Sequence, residues 1–505
     1  MRGFTFRWLW RLLALMFLLA WAGGGFWLSN KHLPPGLHVA GAWKSLRAGQ
    51  VRFLRDISAA DATGAPLSER QIDAELHRMI ADAREILVLD TGLFGDLPAA
   101  GPRAPRLRIA PTVAAALTDA LLNAKQEQPD LQVLLLVDPA SVEMSAVPGP
   151  IDRLRAAGID VVPVAGTRLR EANATFAAFW LLCCGWWSHG TGAGSWPNPI
   201  GVGPAGVAMG LWGRTPPYQR SHRQLMIADD GDGNLNGIVF SRPVNAEAAL
   251  HSAVALRLSG GALEAPLESE FAVAQFSGWS GGAMQERAQR LMERQRTSLV
   301  NTPATDPARA RVDSESSIDE TLISLIGATG RHDSIDIAAL YLSERDLVRA
   351  LLDAARRGAS VRILLDPNKD GYGYEHTGLP NRVVASELVA GSDGAVRVRW
   401  YRTHGEQFSA GFVMIRGASH SWLGVGTSQL SRCDLEDFNL AADFIVELSP
   451  TASAGVDAMT WFDTLWFNRA AGGVEYTSDA DAYADASQLR YWQYRVMESS
   501  GAAFD

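Results

Sequence analysis

The chain has 505 residues, of which 47% are hydrophobic and 20% are charged. This composition excludes a disordered protein, and the length exceeds that of one ordinary core, so we expect at least two domains or a duplicated one. The net charge of -9 argues against a nucleic-acid binder, which needs a basic face for phosphate contacts. The cysteines show neither a disulfide framework nor a zinc pattern, and we expect buried apolar side chains at Cys183, Cys184 and Cys433.

The N-terminus predicts a membrane anchor over residues 1–34. An uncharged apolar run continues to Leu28, and it is preceded by Arg2, Arg7 and Arg11. At about 1.5 Å per residue, the apolar segment from Trp8 is long enough to cross a bilayer core of about 30 Å. Because the arginines come first, we expect a cytoplasmic N-terminus and an exported main domain, periplasmic in a bacterium. Ala20-Trp21-Ala22 resembles a cleavage site, but the apolar character continues beyond it, which favours a retained anchor over a cleaved signal peptide.

After the anchor, the sequence repeats one pattern of helices and strands. A helical segment around Val113 to Lys125 precedes an apolar strand at 131–137 that is closed by a proline. A helix around 344–357 precedes a similar strand at 360–365. This alternation predicts an α/β fold of two α/β/α sandwich halves in a pseudo-two-fold arrangement. We expect a first half at 35–300, a linker at 301–312, a second half at 313–475 and a C-terminal tail at 476–505.

Each half contains one copy, complete or eroded, of a short polar motif. His222 and Asp229 occupy two positions of an H-x-K-x-x-x-x-D pattern, with Gln224 where the pattern has lysine. At the equivalent place in the second half, Ser409 and Gly411 replace the histidine and the lysine. An isolated histidine and aspartate would mean little, but paired motifs in a duplicated frame indicate one site formed by both halves.

These residues resemble the phospholipase D superfamily, and more narrowly its membrane-anchored bacterial proteins with phospholipase D-like domains. The resemblance covers nearly everything after the anchor and is also carried by residues 365–370, 379–382, 403–408, 434–439 and 483–495. It implies a two-step phosphodiester cleavage in which one motif histidine attacks phosphorus and the other protonates the leaving alcohol. It also implies that the motif lysines hold the non-bridging oxygens, and that no cofactor or metal is needed.

By this resemblance, His222 keeps the nucleophile position and Asp229 that of a supporting carboxylate. Gln224 can donate a hydrogen bond without a charge, and Ser409 and Gly411 supply neither the second acid nor the second lysine. Losing one charge-stabilising donor costs roughly 100- to 1,000-fold in rate. Losing general-acid help costs roughly 100- to 10,000-fold. We therefore expect the ordinary mechanism to be lost.

Three neighbouring positions also bear on this mechanism. Arg223 cannot replace the missing lysine, because successive side chains of a strand face opposite sides. Asn439-Leu440-Ala441 resembles an N-x-E segment whose glutamate would orient a catalytic histidine, and Ala441 cannot do so. Arg416 stands at the Asp position of the second motif, which is variable in the proteins that the chain resembles.

The same resemblance suggests a set of residues that bind a phosphodiester or a phospholipid head group. His404 is either an alternative acid for Ser409 or an ordinary loop histidine. Lys369 and Arg382 lie in loops after a strand, where they are either phosphate-binding cations or solvated charges. The expected substrate-binding residues are Gln224, Ser241, Thr427, Gln429, Lys369 and His404.

Two other segments leave alternatives open. Asp230, Asp232 and Asn234 alternate like a calcium loop, but Leu235 stands where that loop needs glycine, which favours a tight turn and no metal. The apolar run at 176–187 is too short to span a membrane. It is either a buried core segment or a loop that dips into the bilayer surface.

Three functions are compatible with the sequence. The favoured one is a membrane-anchored, catalytically impaired phosphodiesterase that binds a phosphodiester or phospholipid head group. The second is a residually active phospholipase D-type enzyme that uses His222 as nucleophile. The third is a structural partner-binding protein that keeps only the fold. We expect a phospholipid and the membrane as partners, and no nucleic acid.

Overall fold

The structure is a computed structural model of the chain. It describes residues 2–46, 49–61, 63–95, 101, 112–144, 149–185, 190, 192–198, 203–204, 206–210, 220–245, 248–299, 308–469 and 473–501. Of the predicted linker at 301–312, residues 301–307 therefore lie outside the described residues. The same holds for Trp186 and Trp187 of the apolar run.

The chain begins with a long apolar helix, α1 (Arg2–Ser29). Its stretch Arg7–Ser29 is long and apolar enough to cross a membrane, and within the described ranges no other helix meets both conditions. Only 6% of the most apolar part of this stretch is buried in the protein. Most of its apolar side chains are therefore exposed on the surface of the protein. A helix of this kind at the N-terminus is a sign of membrane anchoring, which a signal sequence would share.

The other elements alternate between strands and helices in both halves. The helices after α1 are α2 (Gln71–Asp82), α3 (Val113–Glu127), α4 (Pro139–Glu143), α5 (Pro150–Ala156), α6 (Ala174–Trp180), α7 (Glu264–Phe276), α8 (Gly282–Leu299), α9 (Ser316–Gly327), α10 (Arg345–Arg356), α11 (Asn381–Gly391), α12 (Arg432–Leu435), α13 (Ser453–Trp466) and α14 (Gln488–Ser500). The strands are β1 (Lys44–Leu46), β2 (Val51–Ala60), β3 (Pro66–Arg70), β4 (Ile86–Thr91), β5 (Phe94–Gly95), β6 (Gln132–Val137), β7 (Asp160–Pro163), β8 (Ala193–Pro197), β9 (Gly206–Val207), β10 (Gln224–Asp229), β11 (Leu235–Phe240), β12 (Val244–Asn245), β13 (Ser252–Ser259), β14 (Ala308–Ser314), β15 (Ser334–Ala339), β16 (Ser360–Leu365), β17 (Asp370–Gly371), β18 (Tyr374–Glu375), β19 (Val396–Tyr401), β20 (Phe408–Ser409), β21 (Gly411–Arg416), β22 (Ser421–Gly426), β23 (Ala442–Leu448) and β24 (Thr477–Asp479).

Two large sheets contain the same strand order, which confirms the predicted duplication and the α/β fold. The first sheet runs β2-β13-β11-β10-β4-β6-β7, and the second runs β14-β23-β22-β21-β15-β16-β19. In each sheet the last three strands are parallel, and their neighbour, β10 or β21, is antiparallel to them. The predicted strands at 131–137 and 360–365 are β6 and β16, and the two motif regions lead into the equivalent strands β10 and β21.

The two sheets pack face to face, with helices on their outer faces. Side chains of a strand alternate between its two faces. Leu225 and Ile227 of β10 therefore join the core shared by both sheets, whereas Met226 and Ala228 join the core under α2 and α3. The shared core also takes side chains from the second half, among them Phe412, Met414, Val425 and Phe444. Strands that are buried on both faces read as continuous apolar runs, which is the pattern in this sequence.

The halves exchange strands at the boundary between them. β1 lies in the first half of the chain but pairs with β14 of the second sheet. β20 lies in the second half but pairs with β13 of the first sheet, so that Ala253 stands opposite Ser409. A division into residues 35–300 and 313–475 is therefore not a division into two separate sheets.

A buried arginine joins the two halves. Arg223 is only 1% exposed. It donates to Glu270 Oε1 at 3.0 Å and to Ser269 Oγ at 2.9 Å within the first half. It also donates to Glu315 Oε1 of the second half at 2.9 Å and to the carbonyl oxygen of Leu37 at 2.8 Å. As predicted, this side chain does not share the face of Gln224; it forms ion pairs with two buried carboxylates, one from each half.

The prediction of buried cysteines was wrong for the pair Cys183 and Cys184, and Cys433 is only half-buried; the turn prediction was right. Cys183 and Cys184 are half-buried and form a disulfide between adjacent residues, in a π-helical turn (Leu181–Gly185) after α6. The Asp230 carboxylate accepts from the backbone N–H groups of Asp232 and Asn234, which makes the expected tight turn between β10 and β11.

Removing the Arg223 charge should destabilise the whole chain. In Arg223→Met, Glu270 and Glu315 would remain buried without a cation, and we expect the free energy of unfolding to fall by about 3–5 kcal/mol. The measurement is denaturant unfolding of the full chain in detergent. Arg349→Met is the control, because Arg349 and its partner Asp346 are exposed and such pairs contribute at most about 1 kcal/mol. Equal losses in both variants would contradict a structural role for the buried cluster.

Candidate functional site

A cavity of about 300 Å³ lies between the two halves. The first half lines it mainly with the segment that leads into β10 and with the loop after β11. The second half lines it with the β17–β18 hairpin and the loop after β22. The lining residues that matter for chemistry are Arg220, His222, Gln224, Ser241 and Arg242 from the first half, and Tyr341, Tyr374, His376, Gln407, Thr427 and Gln429 from the second.

Backbone hydrogen bonds between the halves position His222. Its N–H donates to the carbonyl oxygen of Leu440 at 2.7 Å, and the N–H of Leu440 donates to the carbonyl oxygen of Arg220 at 3.1 Å. Ser221 forms the corresponding parallel bridge with Leu440. The histidine therefore stands where one half of the chain is paired, strand to strand, with the other.

A buried aspartate of the second half orients the His222 ring. Nδ1 of His222 lies 2.9 Å from Oδ1 of Asp434, which is fully buried in α12. The same carboxylate accepts from the side-chain amide of Asn439 at 2.8 Å and from the N–H of Gln429 at 2.9 Å. A carboxylate on one ring nitrogen fixes both the tautomer and the direction of an imidazole.

The charge state of Asp434 suits this role. Burial by itself raises the pKa of Asp434. The charge of protonated His222 and the hydrogen bonds from His222, Asn439 and Gln429 outweigh burial, so that the pKa lies below the usual value. Asp434 is thus an ionised acceptor, and the Nδ1 atom of His222 carries the hydrogen of their bond.

Gln224 lies in the cavity wall but is engaged on one side. It is the first residue of β10 and 7% exposed. Its Oε1 accepts from the hydroxyl of Thr91 at 2.8 Å. The amide end can donate only a neutral hydrogen bond to a ligand, as the sequence implies.

The second motif does not contribute to the cavity lining. Ser409 is buried at 4% exposure in the β20–β13 pairing. At Gly411, a Cβ atom would lie 2.3 Å from the carbonyl oxygen of Gly426, so that any side chain there requires the backbone to move. Arg416, at the far end of β21, donates to Asp336 Oδ2 at 2.8 Å and serves the sheet. The space that a lysine side chain at position 411 would need is therefore filled by the backbone of β22.

Comparison with known proteins assigns a family to this arrangement. Residues 322–466 match the family model "Cardiolipin synthase, PLD-like domain". The second half of the chain therefore contains a phospholipase D-like domain of the cardiolipin synthase type. A search of curated proteins found no match.

Solved structures show the phospholipase D fold over most of the chain. The phosphatidylserine synthase of Haemophilus influenzae Rd KW20 is 10% identical, with 91% of this chain and 97% of that chain covered and a TM-score of 0.54. Nuc of Salmonella typhimurium, a phospholipase D family member, is 16% identical, with 35% and 99% covered and a TM-score of 0.27. The polyphosphate kinase of Porphyromonas gingivalis is 10% identical, with 90% and 54% covered and a TM-score of 0.42. At 10% identity, the similarity to the phosphatidylserine synthase shows a shared fold and nothing about activity.

Asp229 lies away from the cavity of this phospholipase D fold. It stands at the opposite end of β10 from Gln224 and is 2% exposed. Its Oδ1 accepts from the N–H groups of Glu85 and Ile86 at 2.8 and 2.9 Å, and its Oδ2 accepts from Gly231 at 3.0 Å. The carboxylate therefore holds the turns at this end of the sheet, and it does not meet a ligand in the cavity.

The expected substrate-binding residues divide into two groups. Gln224, Ser241, Thr427 and Gln429 line the cavity. Lys369 and His404 do not: Lys369 Nζ donates to the carbonyl oxygen of Thr403 at 2.9 Å, and His404 is 51% exposed beside Glu406. Arg382 donates to the carbonyl oxygen of Pro367 and stacks on Tyr483. These loop cations stabilise their own loops.

Sequence reasoning missed two residues that face or support the site. Asp434 lies within the segment 434–439, which carries the family resemblance, and it orients His222 although Ala441 stands at the position predicted for an orienting glutamate. His376 lies on the β17–β18 hairpin and lines the cavity together with Gln407. The only signal for it was a histidine two residues after an aromatic one, in a loop after β16, where α/β sheets place ligands.

The cavity suits an anionic ligand. Its described lining includes two arginines and two histidines, against one acidic residue, Asp138, which caps α4. Arg242 is fully buried and is ion-paired with both Asp56 and Asp73, so its charge is already balanced within the protein. Among the described residues, no group of three or more potential ligands is placed to hold a metal ion.

Filling the space at Gly411 should destabilise the second sheet. In Gly411→Ala, the new Cβ would overlap the carbonyl oxygen of Gly426, and we expect the free energy of unfolding to fall by about 1–3 kcal/mol. Gly424→Ala is the matched control, because its Cβ would meet its nearest neighbour, Val413 O, at 3.8 Å. Denaturant unfolding of both variants in detergent tests this. An equal loss of unfolding free energy in Gly424→Ala and Gly411→Ala would contradict the conclusion that the backbone leaves no space for a side chain at Gly411.

The loop that carries Thr427 and Gln429 should respond to pH through Asp443. Burial raises the pKa of Asp443 to about 6, although hydrogen bonds from Ser428 oppose the rise. Because the folded pKa exceeds the unfolded one, the folded state binds more protons, and stability falls as pH rises from about 4 to about 6. In Asp443→Asn this fall, up to about 3 kcal/mol, should be absent. Unfolding free energies at pH 4.5 and 7 check it, and an unchanged pH slope in the variant would contradict the assignment.

Proposed function

We propose that this protein is a membrane-anchored member of the phospholipase D superfamily that binds a phosphodiester or phospholipid head group and does not turn it over by the ordinary two-histidine mechanism. The observation that carries the proposal is an asymmetric site. His222 is held in the cavity by Asp434, whereas Ser409 and Gly411 are withdrawn from the cavity wall. The main domain is proposed to lie outside the cytoplasm, with the N-terminus inside.

Binding is supported by what the site retains. The oriented imidazole, the amides of Gln224 and Gln429 and the hydroxyl of Thr427 converge on one cavity with Arg220. Hydrogen bonds from cationic donors to phosphate oxygens are stronger than neutral ones. Burying the Asp434 carboxylate costs free energy, because it takes a charge out of water. A scaffold has no need of this cost, whereas a ligand site gains an oriented histidine from it.

Loss of turnover is supported by what the site has given up. Neither motif position supplies a lysine, so that negative charge developing on the phosphoryl oxygens meets neutral amides. Each such donor is typically worth roughly 100- to 1,000-fold in rate. Ser409 cannot act as the second acid, because it is buried in a strand pairing outside the cavity.

A second candidate function, residual hydrolysis, is supported by His376 in the same cavity. In that reaction His222 attacks phosphorus, the new P–N bond replaces the P–O bond to the alcohol, and protonated His376 gives its proton to the leaving oxygen. Water then gives a proton to His376 and attacks phosphorus, which breaks the P–N bond and releases phosphate monoester. No co-reactant other than water is required.

Restoring a charge at Gln224 should strengthen binding. In Gln224→Lys an ammonium group replaces the amide in the cavity wall, and we expect about tenfold tighter binding of a water-soluble glycerophosphodiester, which corresponds to about 1.4 kcal/mol. Gln224→Glu is the matched control and should weaken binding, because its carboxylate repels the phosphate. The measurement is calorimetric titration of the full chain in detergent.

Release of the alcohol from the same compound, measured in parallel, separates the two candidate functions. The binding proposal expects no release above a His222→Ala background. Release that is lost in both His222→Ala and His376→Gln would favour the residual enzyme. Absence of binding in wild type and in Gln224→Lys would overturn the proposed function.

A further inference from the structure

An apolar segment beside the anchor exposes its side chains instead of burying them. We call Ala174–Gly185, which comprises α6 and the π-helical turn, the apolar finger. It contains no charged residue. Its large apolar side chains are exposed to 41, 39, 51 and 37% at Phe176, Phe179, Leu181 and Leu182. The predicted alternative of a buried core segment is therefore wrong for its described residues, and such a contiguous apolar surface marks an interaction site.

The finger packs along the membrane-type helix α1 in the opposite direction. Gly25 of α1 lies beside Ala174, and Gly24 lies beside Ala178, where glycine permits the close approach. Further toward the N-terminus of α1, the rings of Trp21 and Phe17 contact Phe179. Trp21 also donates its indole N–H to the carbonyl oxygen of Thr175 at 2.7 Å. Residues later in the finger thus contact residues earlier in α1, so the two helices are antiparallel.

A band of cations and carbonyl groups marks the level at which the finger begins. Arg170 donates to the carbonyl oxygen of Ser29 at 2.9 Å, and Lys31 donates to that of Leu169 at 3.2 Å. Lys31 also stacks over Trp27 at 4.8 Å. Basic and tryptophan side chains at the end of an apolar helix are typical of the membrane–water interface.

We propose that the apolar finger is a second membrane element, a helical segment that enters the outer leaflet beside α1 and ends within it. A helix that packs along a membrane-spanning helix occupies the same slab, so its exposed side chains face acyl chains. At about 1.5 Å per residue, the finger reaches roughly 15–18 Å below the cation band, about half of a bilayer core of about 30 Å. The disulfide of Cys183 and Cys184 near its end fits the oxidising side of a membrane.

The loop before the finger is connected to the His222 cavity. On the entry side, the Arg170 guanidinium lies 4.6 Å from the ring of Phe438, whose neighbour Asn439 holds Asp434. The finger therefore fixes the cavity close to the bilayer surface. Resting on the proposed function, this means that the ligand is the head group of a lipid that stays in the membrane.

The depth of the finger is tested with a fluorescent label in vesicles. Leu182→Cys is labelled with an environment-sensitive dye in a Cys183→Ser, Cys184→Ser, Cys433→Ser background of the full chain, reconstituted into phosphatidylcholine–phosphatidylglycerol vesicles. We expect blue-shifted emission that is quenched at least twofold by lipids carrying nitroxide at mid-chain. The matched control is Leu67→Cys, which lies on the exposed edge strand β3 at 41% exposure and should respond only to aqueous iodide. Quenching of the Leu182 label by iodide and not by nitroxide lipid would overturn the proposal.

The link to the ligand is tested by a charge at the tip. Leu182→Asp should withdraw the finger, since a carboxylate is costly at this depth, and should weaken binding of vesicle-embedded phosphatidylglycerol by roughly tenfold or more. Binding of the water-soluble glycerophosphodiester should not change, which shows that the variant is folded. Equal vesicle binding by wild type and variant would overturn the link. If wild type itself did not bind the water-soluble glycerophosphodiester, the proposed function would be refuted, whereas the measured depth of the finger would still hold.

Discussion

The segment Arg220–Arg223 joins the two halves of this chain, and the rest of the structure depends on that junction. Its backbone pairs with Leu440, and the side chains of His222 and Arg223 point to opposite sides of the segment. Arg223 turns into the protein and forms ion pairs with Glu270 and Glu315, whereas His222 turns to Asp434 and the cavity. Taking such charges out of water costs several kcal/mol per ion unless each has its partner. The halves can therefore pack in one register only, and this register also orients the histidine.

The departures from the second motif do not affect this junction. Ser409 lies in the β20–β13 pairing, and the carbonyl oxygen of Gly426 occupies the position that a side chain at Gly411 would need. The fold does not need the second histidine and lysine, because the shared core and the Arg223 cluster hold the sheets together.

The anchor, the apolar finger and the cavity form one continuous set of contacts. The cation band of Lys31 and Arg170 ties α1 to the loop before the finger, and Arg170 reaches Phe438 beside the residues that orient His222. The cavity is therefore placed with respect to the apolar helix α1. On the proposal that α1 and the finger lie in a bilayer, that constraint, more than any single residue in the cavity wall, favours a ligand that resides there.

The sequence by itself determined the features that are local in the chain. The apolar anchor, the strands β6 and β16, the duplicated α/β pattern and the position of Gln224 next to His222 follow from hydropathy, alternation and motif spacing. The pairing of His222 with Asp434, the place of His376 and the withdrawal of Asp229, Lys369 and His404 from the cavity were decided by the tertiary structure. These contacts join residues that are far apart in the chain, or depend on which end of a strand meets the other half. Local periodicity encodes which face of an element is buried, but only packing of the two halves sets which side chains meet across it.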